Sequence, residues 1–225
     1  MKPAILFDID GTLLYAKGLG RPAFAEAFAE AYGVAVDMDS VSFVGATDTA
    51  IIRELAHQQG VSSTPAKEEY FAVRLTEALD RRLRAPNAIQ IYPGVRTLLD
   101  TLTQRGFVLG LVTGNLRTTA WSKLTHSGLA EAFSFGSYAS DHTDRNVLAQ
   151  IACQRAADFG ATPRLLIGDT PKDIQAAHHA GLPCLAVATG WVDAATLRRA
   201  GADALVEDFT HLDEVFATVE KWCNE

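Results

Sequence analysis

Two aspartates, Asp8 and Asp10, stand two residues apart directly after an apolar run near the start of the chain. The apolar run predicts a buried strand, and residues two apart on a strand point to the same face. Two carboxylates held this close repel each other unless a cation or a transferred proton compensates their charge, and a divalent metal bound by oxygen ligands costs least. The pair predicts a metal site. The alternative is a polar strand end that enters an Asp-Gly turn at Gly11.

A second polar group, Thr113-Gly114-Asn115, lies between a predicted strand and a predicted helix. A hydroxyl, an amide and free backbone N–H groups therefore gather at a helix N-terminus, where anions bind favourably. This predicts an anion cradle that includes Thr113, Gly114 and Asn115. A simple helix cap formed by Thr113 or Asn115 is the alternative.

Asp169 ends another apolar strand, and Asp173 follows one helical turn later. If the strands of Asp8 and Asp169 are neighbours, the carboxylates converge on a site of the type that binds Mg²⁺. Asp173 has an alternative interpretation, because Thr170 and Asp173 are spaced as in a capping box.

The elements that must position these side chains alternate between helix and strand from about residue 90 to the end of the chain. Such alternation predicts an α/β fold, namely a Rossmann-like parallel sheet core with helices on both faces. Ligands of such sheets bind at the carboxyl ends of the strands, which is where the polar groups above fall.

The segment from 15 to 89 reads as helix only, with apolar stripes at helical spacing and glycine- and proline-containing linkers at both ends. We therefore predict a Rossmann-like catalytic core of residues 1–14 and 90–225, and an inserted α-helical cap of residues 15–89. Both linkers are expected to leave the sheet from the same edge.

Composition limits the function further. The chain has 225 residues and a formal net charge of −7, which argues against general nucleic-acid binding. Its three cysteines are scattered, as in reduced proteins, and no apolar run is long enough to predict a signal peptide or a membrane span. We expect a cytoplasmic protein, a monomer or homodimer, with no nucleic-acid or membrane partner.

The motifs together resemble those of the haloacid dehalogenase-like (HAD) hydrolase superfamily, in its phosphoglycolate phosphatase-like branch. The stretch Asp8-Ile9-Asp10-Gly11-Thr12 is similar to the family's first motif, and Thr113-Gly114-Asn115 to its second. Gly168-Asp169-Thr170-Pro171, with Asp173, is similar to its fourth motif. These motifs span the whole predicted core.

The resemblance implies a role for each of these residues. Asp8 would be the nucleophile that forms an aspartyl-phosphate, and Asp10 the general acid and base. Thr113 would hold the phosphoryl oxygens. Mg²⁺ would lie between Asp8, the backbone carbonyl of Asp10 and Asp169, with Asp173 in support.

One part departs from the family pattern. The third motif is a lysine ahead of the fourth motif, and this chain has Arg145 at the corresponding place. Arg145 is therefore expected to take the catalytic role of that lysine, although a guanidinium fork differs from a point-charge ammonium. The alternative is a surface arginine paired with Asp141 or Asp144. Lys123 is a rival donor, but its position in a helix favours a solvent-exposed lysine.

By the same resemblance, the cap closes over the site and selects the substrate, with Arg21 and Thr47 as contact residues. Taken singly, Arg21 also fits an ordinary linker charge, and Thr47 a helix cap. The predicted function is a Mg²⁺-dependent phosphatase of a small phosphorylated metabolite such as phosphoglycolate. The alternatives are a phosphomutase of a sugar phosphate and a regulatory or binding protein with little turnover.

Overall fold

The computed structural model describes residues 1–39 and 41–223, and a six-stranded parallel sheet lies at the centre of this part of the chain. The strands in chain order are β1 (Lys2–Phe7), β2 (Leu14–Tyr15), β3 (Gln90–Ile91), β4 (Val108–Val112), β5 (Phe135–Ser137), β6 (Ala161–Gly168), β7 (Cys184–Val187) and β8 (Ala204–Val206). Six of them form the parallel sheet in the order β5-β4-β1-β6-β7-β8. The predicted fold class is confirmed.

Helices follow most of these strands, as the apolar spacing predicts. They are α1 (Gly20–Tyr32), α2 (Asp48–Gln58), α3 (Pro65–Leu83), α4 (Val95–Gln104), α5 (Arg117–Ser127), α6 (Arg145–Asp158), α7 (Pro171–His179), α8 (Ala194–Arg199) and α9 (Leu212–Cys223). A short 3-10 helix spans Ala130–Ala132. Sequence periodicity did not predict α8, which has six residues and buries only Leu197.

Strand β1 lies in the middle of the sheet and divides its side chains between two cores. Ile5 and Phe7 belong to a cluster with residues of α4, α5 and α9. Ala4 and Leu6 belong to a second cluster with residues of α6 and α7. Because side chains alternate along a strand, this division places helices on both faces of the sheet.

Helices α1, α2 and α3 lie between β2 and β3 in the chain and share a hydrophobic cluster, which also includes Leu116 and Ala139 of the core. Strands β2 and β3 pair antiparallel, with Leu14 opposite Ile91. The chain therefore leaves the core and returns to it side by side, which supports the proposed division into core and cap. Within the described residues, none of the helices is both long and apolar enough to cross a membrane.

Candidate active site

The strand order brings three of the predicted polar groups to one edge of the sheet. Strand β1 pairs with β4 on one side and β6 on the other, so Asp8, Thr113 and Asp169 follow three adjacent strands. The condition that the strands of Asp8 and Asp169 are neighbours is met. All three residues are buried.

Asp8, Asp169 and Asp173 form a buried acidic cluster. One carboxylate oxygen of each lies within 4.8 Å of the other two, which is close enough for a single metal ion to contact all three. Burial raises the pKa of Asp8 to about 7, although the Arg145 guanidinium opposes this shift. Burial and the neighbouring Asp173 carboxylate raise the pKa of Asp169 well above its usual value. Both shifts favour the protonated, uncharged forms of these two carboxyl groups when no metal ion is bound.

Asp169 is tightly enclosed. Thr12 donates a hydrogen bond to its Oδ1 at 3.1 Å, while its buried Oδ2 has no hydrogen-bond partner among the described residues. A Cβ atom at Gly11 would stand 2.1 Å from Oδ2, and one at Gly190 would stand 1.8 Å from it. Only glycine at these two positions leaves room for the carboxylate.

Asp173 combines its two interpretations. Its Oδ2 accepts hydrogen bonds from the Thr170 backbone N–H at 3.0 Å and from the Thr170 hydroxyl at 2.6 Å, which completes a capping box at the start of α7. Its Oδ1 faces Arg145 at 2.5 Å. The capping box therefore holds the side chain in place while its other oxygen belongs to the acidic cluster.

Arg145 lies inside the site. Its side chain is 6% exposed, and Nη2 contacts Asp8 Oδ1 at 2.7 Å as well as Asp173. The Asp8 and Asp173 charges outweigh the effect of burial and raise the pKa of the guanidinium. The surface alternative is wrong, because Asp141 pairs with Arg155 and Asp144 caps α6.

Asp10 lies beside the cluster, and its side chain joins a separate polar network. Its Oδ2 accepts hydrogen bonds from Lys123 Nζ at 2.6 Å and from Asn115 Nδ2 at 2.7 Å. Asn115 Nδ2 also lies 2.7 Å from Thr113 Oγ1, which accepts from it. Asn115 does not cap α5, whose N-cap residue is Leu116 without a side-chain hydrogen bond.

The expectation that Lys123 is solvent-exposed is wrong. The residue is buried, and its ammonium lies between Asp10 and Asn115 Oδ1, the latter at 2.7 Å. A signal for this was present in the sequence. Lys123 lies on the same face of α5 as the buried Ala120, Leu124 and Ser127, so it occupies a core-facing position.

A cavity of about 280 Å³ opens above these residues and is lined from both sides. The core contributes Asp8, Asp10, Thr113, Gly114, Asn115, Lys123, Arg145 and Asp169, and the segment 15–46 contributes Tyr15, Arg21, Phe43 and several small residues. A Cβ atom at Gly114 would stand 2.1 Å from the Ala46 carbonyl oxygen. The loop before α2 therefore packs directly on the predicted anion cradle.

The two predicted cap contacts differ in position. Arg21 lines the cavity, where its guanidinium donates to the Met38 carbonyl and stacks on Phe43 at 4.9 Å. Thr47 does not line it: its hydroxyl caps α2 and donates to the Thr143 carbonyl at 2.7 Å. Contact between substrate and either residue stays a prediction.

Asp48 connects the first turn of α2 to the core. Its Oδ2 accepts from Leu116 N–H at 2.9 Å, and its own N–H donates to Gly114 O at 2.7 Å. Burial raises the pKa of Asp48 to about 6, although the positive charge of Lys123 opposes the shift. The start of α2 is therefore fastened to the loop that contains Thr113.

Comparison with known proteins agrees with this arrangement. The sequence profile described as "Haloacid dehalogenase-like hydrolase" matches residues 5–187. A phosphoglycolate phosphatase of Synechococcus elongatus is 29% identical over 206 residues, covering 91% of this chain and 92% of that protein. One from Rhodospirillum rubrum is 27% identical over 225 residues, covering 95% and 90%. The structure of CbbY from Rhodobacter sphaeroides in complex with phosphate has a TM-score of 0.72 at 22% identity, covering 94% and 96%.

Proposed function

Because the chain belongs to the haloacid dehalogenase-like hydrolase family, we propose that it is a Mg²⁺-dependent phosphatase that forms an aspartyl-phosphate on Asp8. The family and the hydrolase class predicted from the motifs are confirmed, and relatives named phosphoglycolate phosphatase support the phosphatase. The observation on which the proposal rests is the buried acidic cluster of Asp8, Asp169 and Asp173. Asp8 and Asp169 line the cavity together with Thr113.

The cluster fits Mg²⁺ in its chemistry. It presents carboxylate oxygens, which this ion prefers, and the buried Oδ2 of Asp169 has no partner among the described residues. In our proposal Asp8, Asp169 and the backbone carbonyl of Asp10 hold the ion, and Asp173 supports them. When bound, Mg²⁺ would shield the negative charge of the nucleophile from that of the phosphate.

The other residues supply the groups that hydrolysis of a phosphate ester needs. The uncatalysed hydrolysis of such an ester is among the slowest known reactions, so the developing charge must be spread and the leaving group protonated. Arg145 is fixed beside Asp8 at 2.7 Å, and Thr113 and Gly114 line the same cavity. In this proposal they bind the phosphoryl oxygens, and the guanidinium replaces the lysine of the family's third motif.

In this proposal the reaction proceeds in two steps, formation and hydrolysis of the aspartyl-phosphate. Asp8 attacks phosphorus while the ester P–O bond breaks, and the leaving oxygen keeps the electron pair and takes a proton from Asp10. Water then attacks phosphorus and gives a proton to Asp10, and the Asp8 carboxylate leaves. Asp10 lines the cavity and its side chain is 29% exposed, so both substrate and water can reach it.

The substrate we propose is a small phosphorylated metabolite, with phosphoglycolate as the first candidate. Two relatives are named as phosphatases of this compound. The cavity of about 280 Å³ suits a small ester better than a polymer, and the segment 15–46 encloses it from above.

Phosphate release from a panel of phosphate esters with and without Mg²⁺ tests the proposal. We expect activity that depends on Mg²⁺ and is lost in Asp8→Asn, with Asp100→Asn on the exposed surface of α4 as the control. Turnover by Asp8→Asn would refute the aspartyl-phosphate. Interconversion of sugar phosphates without net phosphate release would indicate a phosphomutase instead.

A further inference from the structure

We propose that Lys123 is a positioning residue that fixes the orientation of the Asp10 carboxyl group and leaves only Oδ1 free for proton transfer. This assignment rests on the proposed function, because it concerns the general acid and base of that reaction. Lys123 is buried but lies outside the acidic cluster of Asp8, Asp169 and Asp173, so that cluster does not explain its burial.

The ammonium group has two hydrogen-bond partners among the described residues. Lys123 Nζ donates to Asp10 Oδ2 at 2.6 Å and to Asn115 Oδ1 at 2.7 Å, and the side chain is only 9% exposed. Burial of a charged ammonium is costly unless it is paired and hydrogen-bonded. The ion pair with Asp10 satisfies this condition, so the Lys123 and Asp10 side chains hold each other in position.

Asn115 connects the same network to the anion cradle. Its Nδ2 donates to Asp10 Oδ2 at 2.7 Å and to Thr113 Oγ1 at 2.7 Å, while its Oδ1 accepts from Lys123. Thr113 is the residue proposed to hold phosphoryl oxygens. The network therefore sets the distance between the proton donor and the phosphoryl group, a distance on which proton transfer depends steeply.

The consequence for Asp10 is an unequal pair of oxygens. Oδ2 accepts from two donors, and no donor to Oδ1 is found among the described residues. A proton on Oδ2 would face two N–H groups, so the proton of the acid form resides on Oδ1. From there it passes to the ester oxygen as the P–O bond breaks, and in the second step Oδ1 receives a proton from the attacking water.

The alternative is that Lys123 binds the phosphoryl group itself, because it also lines the cavity. The two assignments predict different losses of activity when Lys123 is removed, depending on the leaving group of the ester. A residue that binds phosphate affects every phosphate ester alike, whereas a residue that acts through Asp10 matters only when the leaving oxygen needs a proton.

Lys123→Met removes the ammonium and keeps most of the side-chain volume. The measurement is kcat/KM for an alkyl phosphate, such as phosphoglycolate, and for 4-nitrophenyl phosphate, whose leaving group departs readily without a proton. Because kcat/KM reports formation of the aspartyl-phosphate, we expect a loss of roughly 10²-fold for the alkyl ester and less than about 5-fold for the nitrophenyl ester. Lys221→Met, an exposed lysine on α9, is the control.

An equal loss on both esters, or no loss on the alkyl ester, would overturn the assignment. In an Asp10→Ala background, Lys123→Met should cause no further change in the ratio of the two kcat/KM values, and a further change would also count against it. If Lys123→Met does not fold, Lys123→Gln serves the same comparison, since it keeps a shorter, uncharged donor. Wild-type protein inactive with Mg²⁺ on these two esters and on the whole panel of phosphate esters would instead overturn the proposed function and this assignment with it.

Discussion

Arg145 balances the negative charge of the acidic cluster, and its removal gives the sharpest test of how the site is held together. The guanidinium is 6% exposed and contacts Asp8 at 2.7 Å and Asp173 at 2.5 Å. Two charged carboxylates whose oxygens lie no more than 4.8 Å apart repel by about 3.5 kcal/mol or more at an effective dielectric constant of about 20. Without the guanidinium, only protonation of Asp8 and Asp169 can relieve this repulsion in the metal-free protein.

We therefore predict that Arg145→Met lowers the free energy of unfolding by about 3–5 kcal/mol in a chelator, the usual cost of breaking a buried ion pair. For a chain of this size the loss corresponds to a fall in Tm of roughly 6–20 °C. Thermal unfolding measured with and without Mg²⁺ checks the value. Added Mg²⁺ should recover much of the loss, because a divalent cation supplies the missing positive charge.

The matched control is Arg155→Met in the same helix. Arg155 makes two hydrogen bonds to Asp141 and one to the Gly136 carbonyl. Its side chain is 37% exposed, so we expect its removal to cost only about 1 kcal/mol, the upper end for an exposed pair. If Arg145→Met in chelator loses no more stability than Arg155→Met, the charge balance described above is refuted.

Two further predictions concern the same cluster. Gly190→Ala places a Cβ atom 1.8 Å from Asp169 Oδ2, so the Mg²⁺ concentration for half-maximal activity should rise roughly 10–100-fold. Gly160→Ala, whose Cβ atom meets nothing within 4 Å, should leave it unchanged. The metal-free protein should also become more stable as the pH falls from 8 to 5, because Asp8 binds a proton at about pH 7 when folded and near its usual 3.8 when unfolded. Chemical denaturation between pH 5 and pH 8 measures the free energy of unfolding. Mg²⁺ should weaken its dependence on pH, and a stability that rises with pH would contradict the prediction.

Much of the fold followed from the sequence because its signals are local. Apolar runs and helical stripes identified the strands of the central sheet and most of the helices, and glycine and proline marked the linkers. The pairing of β2 with β3 and the six-residue α8 were not predicted, since so short an element contains too few residues to show a period.

The part of the site that lies at strand ends could be predicted from the sequence. Asp8, Thr113 and Asp169 were identified because each terminates a buried strand, and the order of strands in the sheet then brought them together. The partners of Arg145 were not predictable. A residue at the first position of a helix can face solvent or core, and only the packing of α6 against the sheet directs it to Asp8 and Asp173.

The residue types and spacings of the sequence were by themselves enough to predict the acid pair of Asp8 and Asp10, the α/β fold and the family. The tertiary structure decided which charges meet. It buried Lys123 against Asp10 and Arg145 against Asp8, contacts between residues more than a hundred positions apart in the chain. The physical reason is that periodicity reports which face of an element is buried, whereas pairing across the core depends on how separate elements pack.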